Sequence, residues 1–210
     1  MSSNEYRFFT LWTVEGGIEE AAEVLEDVEG LTAWWPAVYL SLLVENPGGK
    51  GGIGKRVKLL TRGWLPYLLR WTLVVHESDS PHRFVIDAEG DFVGRGVWNL
   101  KQVGPKVEVT YDWQIRADKP LLKLLGFALR PIFEANHRWA MSTGEKSLQL
   151  EMVRRRALRE GRLVRSKRPP GPALYSGPLL IGLGVVALLG VVAARRRKSM
   201  APAEVDELDG

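Results

Sequence analysis

The sequence predicts an α+β fold, in which a seven-stranded antiparallel sheet wraps round a long C-terminal helix, followed by one transmembrane helix. Three observations lead to this prediction. Apolar and polar residues alternate through several short, closely spaced segments, a pattern typical of antiparallel strands. Helical periodicity then begins at Pro120 and continues to about Arg159. Residues 173–194 form a run of 22 positions without a charge, long enough to cross a hydrocarbon core of about 30 Å.

The first predicted elements are a strand and two short helices. Residues 6–14 are rich in aromatic and β-branched side chains, which favours a strand. Residues 18–28 place apolar side chains at helical spacing among glutamates, and Gly30 ends that helix. Trp34-Trp35-Pro36 follows the helix pair, and the apolar stretch 38–44 continues as the second strand. Apolar residues recur with a period of two, then of about 3.6, and then of two again, so these helices are predicted to lie between the first two strands.

Five further segments alternate with a period of two and are bounded by turn residues. They span 54–61, 67–77, 83–89, 92–103 and 106–116. Successive strands so closely spaced leave no room for crossover helices and therefore predict an antiparallel meander.

The last part of the domain is predicted to be helical, with Pro131 breaking it into a short and a long piece. One stripe of the long piece is expected to face the sheet, and it consists of Ile132, Asn136, Trp139, Thr143, Ser147 and Leu150. Half of these side chains are small and polar, and Ala140 and Gly144 lie close to them. A helix face with so little volume predicts a cavity between helix and sheet.

The net charge of +4 is unevenly distributed. Residues 1–150 carry 17 Lys and Arg against 19 Asp and Glu, whereas residues 151–210 carry 12 against 6. The cations flank the apolar run, with eight in 151–173 and four in 195–198. This distribution argues against a nucleic-acid partner and favours a membrane with anionic headgroups. The absence of cysteine excludes a disulfide framework and thiolate metal ligands.

These features divide the chain into a domain (1–153), a basic proline-rich linker (154–172), a transmembrane helix (173–194) and a basic, then acidic tail (195–210). The alternative of a buried core helix is disfavoured by the proline-rich linker before the apolar run and the four cations after it. The excess of cations on the domain side predicts a single-pass protein whose domain faces the cytoplasm. Small residues at Gly190 and Ala194 allow a weak homodimer through the membrane helix.

Strand alternation places several large aromatic residues on shared faces, which predicts a hydrophobic pocket. Aromatic walls with a few polar groups are typical of small-molecule sites. The candidate ligand-binding residues are Trp71, Leu73, Trp98, Tyr111, Trp113, Asn136, Trp139, Ala140, Thr143 and Ser147. The alternative is that these side chains fill the core.

No catalytic residue, metal site or cofactor is assigned. His137 and Glu134 are expected to point away from the Ile132/Trp139 stripe, to solvent or to the rim of the pocket, and Asp91, Asp112 and Arg95 are interpreted as turn or surface charges. No histidine or carboxylate spacing matches a metal-binding motif. The glycine-rich segment 49–55 lacks the Ser or Thr and the helix of a phosphate-binding loop, and is expected to form a hairpin loop at the pocket mouth.

The chain resembles the START-like superfamily, also called SRPBCC, with its helix-grip fold, and within it the polyketide cyclase/dehydrase and lipid-transport family. The similarity extends from Arg7 to Leu150. It is carried by Trp34-Trp35-Pro36, Leu65-Pro66-Tyr67, Arg70-Trp71, the run from Gly90 to Trp98, Tyr111-Asp112-Trp113, the run from Asn136 to Met141, and Gly144-Glu145. The resemblance implies a pocket for a hydrophobic molecule such as a lipid, hormone or polyketide, and catalysis in some members.

Three functions remain open at this point. The leading hypothesis is a membrane-anchored module that binds or transfers a lipid or polyketide-like molecule. The alternative is a cyclase/dehydrase or aromatase-type enzyme using the same pocket, and the third is a membrane-tethered scaffold without a usable cavity. An internal void large enough for a guest would favour the first two over the third.

Overall fold

The computed structural model describes residues 5–117, 120–162 and 167–174, with side chains described over 5–116, 130–162 and 167–174. Its elements in chain order are β1 (Glu5–Glu15), α1 (Ile18–Glu26), α2 (Leu31–Trp34), β2 (Tyr39–Asn46), a 3-10 turn (Lys50–Gly52), β3 (Arg56–Thr61), β4 (Leu69–Asp79), β5 (Arg83–Gly90), β6 (Phe92–Val103), β7 (Lys106–Ala117) and α3 (Pro120–Arg159). The described elements belong to one compact unit that ends at Ala173.

The seven strands form one antiparallel sheet in the order β1-β7-β6-β5-β4-β3-β2. The chain therefore runs as a meander from β2 to β7, and β1 closes the far edge by pairing with β7 from Glu5↔Arg116 to Glu15↔Lys106. Gly104 has a φ of 58° in the two-residue turn between β6 and β7, a conformation that glycine adopts without strain. The predicted α+β architecture of seven antiparallel strands and a C-terminal helix is confirmed.

Helix α3 is a single element of 40 residues that contains Pro131. The predicted break at Pro131 is therefore wrong. A proline removes one backbone donor from the helical ladder, but the turns on either side keep theirs. The helix ends at Arg159, where the sequence predicted its end.

The face of α3 that meets the sheet coincides only in part with the predicted stripe, of which Ser147 is fully buried. Met141, Leu148 and Met152 are buried, whereas Ile132, the first member of the predicted stripe, is 36% exposed. Each residue turns the helix by about 100°, so a stripe displaced by one position presents a different side. Met141, Leu148 and Met152, which are seven and four residues apart, define the buried face.

The absence of a side chain at Gly144 makes room for an indole rather than leaving open space. A Cβ atom at Gly144 would overlap the ring of Trp35, which follows α2. Trp35 in turn packs against Trp12 and Tyr39, with ring centroids 5.5 and 5.3 Å away. The space next to Gly144 is therefore filled, and no cavity forms there.

Ion pairs join the end of α3 to α1. Arg156 and Arg159 pair with Glu20, and Arg159 Nη1 lies 2.6 Å from Glu23 Oε2. Arg155 pairs with Asp27, while Arg154 Nη2 lies 2.6 Å from Glu151 Oε1. Four of the eight linker cations expected to meet lipid headgroups therefore contact carboxylates of the domain.

The predicted membrane helix over 173–194 and the tail over 195–210 lie outside the described residues, apart from Ala173 and Leu174. The proposed helix contact at Gly190 and Ala194 lies there as well. Among the described residues, no helix has the length and apolar character needed to cross a bilayer.

Candidate ligand-binding cavity

A cavity of about 250 Å³ lies between the inner face of the sheet and the first described turns of α3. An apolar cavity of about 150 Å³ in another protein accepts benzene, so this volume suits a molecule of about two fused rings. The aromatic part of its wall comes from β1, α2, β4, β6 and β7 and includes Phe8, Trp34, Trp71, Trp98, Tyr111 and Trp113.

Cross-strand pairing builds the aromatic wall. Trp98 and Tyr111 are paired residues on β6 and β7, and their rings stack with centroids 3.8 Å apart. Trp113 stacks on Tyr111 at 5.5 Å, two residues further along the same face of β7. Gly96 leaves room for both rings, since a Cβ there would lie 2.8 Å from Trp113 Cε3. The wall is therefore continuous and preformed.

Seven of the ten residues predicted from the sequence line this cavity: Trp71, Leu73, Trp98, Tyr111, Trp113, Asn136 and Ala140. Trp139, Thr143 and Ser147 do not. Thr143 Oγ1 accepts a hydrogen bond from Trp35 Nε1 at 3.3 Å and donates to the carbonyl of Ala140 at 2.7 Å. Ser147 is fully buried beside Trp34 in a separate void of about 220 Å³, and Trp139 packs at the edge of the core. Ser147 and Trp139 therefore belong to the core rather than to the wall of this cavity.

Two polar side chains of the cavity wall are already paired within the protein. Trp71 Nε1 donates to Thr61 Oγ1 at 3.1 Å, and Asn136 Oδ1 accepts from the backbone N–H of Leu65 at 3.1 Å. Both bonds fix wall residues in place. We therefore do not expect Asn136 Oδ1 to be the first atom that meets a ligand.

His137 lies in the cavity wall, whereas the sequence placed it on a side of the helix that points away from the sheet-facing stripe. The imidazole stacks on Phe8 with centroids 4.2 Å apart, and Nε2 is buried without a hydrogen-bond partner among the described residues. Burial, with a smaller contribution from the charge of Arg138, lowers the pKa of His137 from 6.5 to about 4. The ring is therefore neutral at physiological pH. A signal was available in the sequence, because His137 precedes Met141 by four residues on the buried face.

Tyr6 also lines the cavity and, like His137, packs against Phe8. Its ring lies 6.0 Å from Phe8 and meets Phe133 edge-on, also at 6.0 Å. The hydroxyl is buried and has no hydrogen-bond partner among the described residues. Burial raises the pKa of Tyr6, so the phenol keeps its proton. Tyr6 shares a face of β1 with Trp12 and Val14, a pattern that strand alternation could have revealed.

The other charged candidates lie outside the cavity, as predicted. Asp112 pairs with Arg7 at 2.7 Å and Arg95 with Asp87 at 2.7 Å, on the outer face of the sheet. Asp91 Oδ2 accepts the backbone N–H of Arg70 at 2.7 Å in a turn. Within the described residues, no group of three or more histidines and carboxylates could hold a metal ion.

Comparison with models of known protein families identifies the family of this chain. The model of the family described as polyketide cyclase/dehydrase and lipid transport matches residues 12–148. The chain belongs to this family. No curated protein matches the chain at a significant level.

Solved structures agree with the helix-grip fold of this family. The Zhui aromatase/cyclase from Streptomyces sp. R1128 has a TM-score of 0.60 and 18% identity over 76% of this chain and 99% of its own. A protein from Thermus thermophilus has a TM-score of 0.58 and 19% identity over 71% and 99%. The di-domain aromatase/cyclase StfQ from the steffimycin pathway has a TM-score of 0.55 and 14% identity over 74% of this chain and 53% of its own. At these identities the likeness concerns the fold alone.

The glycine-rich segment 49–55, which was expected at the pocket mouth, contributes residues to the cavity wall. Gly51 and Gly52 line one end, together with Ser78 and Lys55. Lys55 Nζ lies 2.8 Å from Glu29 Oε1, so its charge is used within the domain.

A return segment, residues 167–173, runs back along the domain after α3. Lys167, Arg168 and Pro169 lie against the void beside Trp34 and Ser147. Further on, the carbonyl of Ala173 accepts a hydrogen bond from Arg62 Nη2 at 3.3 Å. Arg62 also lines the cavity, so the return segment ends at the cavity wall.

Proposed function

We propose that the protein is a membrane-anchored module that binds a hydrophobic small molecule, either a lipid or a polyketide-like compound, in the cavity under α3. The observation that carries this proposal is the void of about 250 Å³ with aromatic walls in the interior of the domain. Burial of apolar ligand surface, at about 25 cal/mol per Å², would supply most of the affinity. Trp71, Leu73, Trp98, Tyr111, Trp113 and Ala140 are the proposed contacts.

The course of the chain supports exchange of the ligand with a bilayer. The return segment ends at Ala173, hydrogen-bonded to the cavity-lining Arg62, and the predicted span begins there. If residues 173–194 cross a membrane, an apolar ligand would have only a short distance to travel between lipid and cavity. Lys167 and Arg168 form no ion pair with any described residue and are the proposed headgroup contacts.

A cyclase or aromatase activity is the second candidate, and His137 is the observation that favours it. A neutral imidazole in an apolar cavity can take a proton from a carbon next to a carbonyl and return it to the oxygen formed on ring closure. Loss of one water from that product would complete aromatisation. The family includes cyclases and dehydrases by its description, and the Zhui protein is named an aromatase/cyclase.

Filling the cavity tests the binding function. Ala140→Phe places a ring in the void from α3, and Ser142→Phe adds the same ring at an exposed position of the same helix. We expect 2-methylnaphthalene to bind the wild-type chain and Ser142→Phe with equal affinity, and Ala140→Phe at least tenfold more weakly by calorimetry. Equal affinity for all three proteins would place the binding site elsewhere.

The two candidate functions separate in one further measurement. The wild-type chain and His137→Phe are incubated with a linear, open-chain β-polyketone, and the small-molecule products are analysed by mass spectrometry. Loss of water from the polyketone in the wild type but not in the variant would support the enzyme. Unchanged polyketone released from both proteins would support a carrier.

A further inference from the structure

Two buried polar atoms in the cavity wall lack partners among the described residues and belong to side chains that both pack on Phe8. They are the hydroxyl of Tyr6 and Nε2 of His137. Phe8 connects them, since its ring faces His137 at 4.2 Å and Tyr6 at 6.0 Å on the same side of β1. Phe133, one helical turn before His137, closes the group by an edge contact with Tyr6. A donor-acceptor hydroxyl and an imidazole nitrogen are thus buried in the wall of one apolar cavity.

Leaving such atoms without partners costs stability. A buried polar group without a hydrogen bond has lost its contact with water without gaining a partner, and native proteins pair most such groups. Tyr6 is only 6% exposed. Trp12 Nε1 and Ser147 Oγ are also unpartnered among the described residues, but neither residue lines this cavity. Of these four residues, only Tyr6 and His137 line the cavity.

We propose that Tyr6 and His137 form a polar subsite for a hydroxyl group carried by an aromatic ligand of about two fused rings. This inference rests on the proposed binding function and specifies the chemistry of the ligand. A hydroxyl both donates and accepts, so it can accept from the Tyr6 O–H while it donates to the imidazole nitrogen. The stacked faces of Trp98 and Tyr111 provide the surface on which a flat ring system would lie.

The protonation states agree with a neutral ligand. Burial keeps the pKa of His137 at about 4, so the ring can accept a hydrogen bond at physiological pH. Burial also raises the pKa of Tyr6, although the charge of Arg130 opposes this, and the phenol remains a donor. A neutral hydroxyl satisfies these two groups without bringing a further charge into the apolar cavity.

Two ligands of the same shape test the subsite. 2-Naphthol and 2-methylnaphthalene differ by a hydroxyl in place of a methyl group, and each is titrated into the full chain at pH 7 by calorimetry. We expect the wild type to prefer 2-naphthol at least tenfold. Tyr6→Phe and His137→Phe keep the ring volume but remove one polar atom each, and should each reduce this preference to threefold or less. Affinity for 2-methylnaphthalene should change by less than about threefold in both variants.

Ser147→Ala is the matched control, since it removes an equally buried unpartnered hydroxyl outside the cavity. It should leave the preference unchanged. Tyr6→Phe should also unfold at a denaturant concentration equal to or higher than the wild type, because it removes an unsatisfied group. A reduced preference with intact stability is a result that a purely structural role of Tyr6 would not give.

The failures of the two proposals are distinguishable. If both probes bind the wild type equally well, the cavity binds apolar molecules but the polar subsite is wrong. A tenfold preference that survives in both variants would also overturn the subsite. If neither probe binds, the proposed binding function fails and the subsite fails with it.

Discussion

The buried imidazole of His137 can accept a proton only at low pH, and its burial lowers the stability of the folded protein in acid. Its pKa of about 4 lies below the 6.5 of an ordinary histidine, mainly because burial disfavours the charged ring. Between these two pH values the unfolded chain binds a proton that the folded protein does not. The same burial that makes the imidazole suitable for a neutral ligand therefore makes the fold sensitive to mild acid.

We predict that the free energy of unfolding falls by about 2 kcal/mol as the pH is lowered from 7 to 4.5, because the unfolded state gains protons over this range. His137→Phe should lose most of this dependence in urea titrations at the two pH values. His82→Gln, at an exposed histidine, should retain it. An equal pH dependence in the wild type and His137→Phe would show that the imidazole is not desolvated.

At the scale of elements, the contact between the Trp35 indole and α3 depends on the absence of a side chain at Gly144. Alanine is about 1 kcal/mol better than glycine within a helix, so Gly144→Ala would stabilise an exposed helix. Here the new methyl group overlaps the Trp35 indole, which is 4% exposed and hydrogen-bonded to Thr143. We predict a net destabilisation of about 1–3 kcal/mol, measured by urea unfolding. The exposed neighbour Ser142→Ala should be neutral or slightly stabilising, and the same result for Gly144→Ala would mean that the indole moves at little cost.

The ion pairs between α1 and α3 predict a second acid-sensitive window. A hydrogen bond from Arg156 lowers the pKa of Glu20 from 4.5 to about 2, so its contribution is present above pH 4.5 and is lost as the pH falls towards 2. Glu20→Gln should destabilise the protein by about 1–2 kcal/mol at pH 7, and the difference from wild type should narrow below pH 4.5. Glu19→Gln, in the same first turn but exposed, should have little effect. A constant difference at every pH would assign the loss to packing.

Strands were predictable from the sequence to within about three residues, whereas the face of α3 was not. A strand has two faces, so Trp71, Trp98 and Tyr111 could be assigned correctly to the interior from alternation alone. A helix turns by about 100° per residue, and several stripes of α3 contain some apolar residues. The chosen stripe began at Ile132 and missed His137. Gly144 looked like empty space because the ring that fills it, Trp35, lies more than 100 residues away in the chain.

At the scale of the whole molecule, the basic linker has two parts. Arg154, Arg155, Arg156 and Arg159 are used within the domain, where they bind carboxylates of α1 and α3. Lys167 and Arg168, on the return segment, have no ion pair with any described residue. The sequence alone could not separate these parts, because it shows a run of cations but not the acidic residues of α1 that meet them. Electrostatic attraction to a membrane would therefore come from fewer charges than the composition implies.

Membrane anchoring itself makes a prediction that depends only on residues 173–194. Arginine near the centre of a membrane helix costs about 2.5–3.5 kcal/mol, so Leu183→Arg with Val186→Arg should prevent stable insertion. After extraction of membranes at alkaline pH, we expect the wild-type chain in the pellet and this double variant in the supernatant. Ala203→Arg with Val205→Arg, which adds the same charges to the tail, should remain in the pellet. A wild-type chain that is released by alkali would refute the anchor but leave the cavity proposal standing, since the described walls of the cavity all precede Ala173.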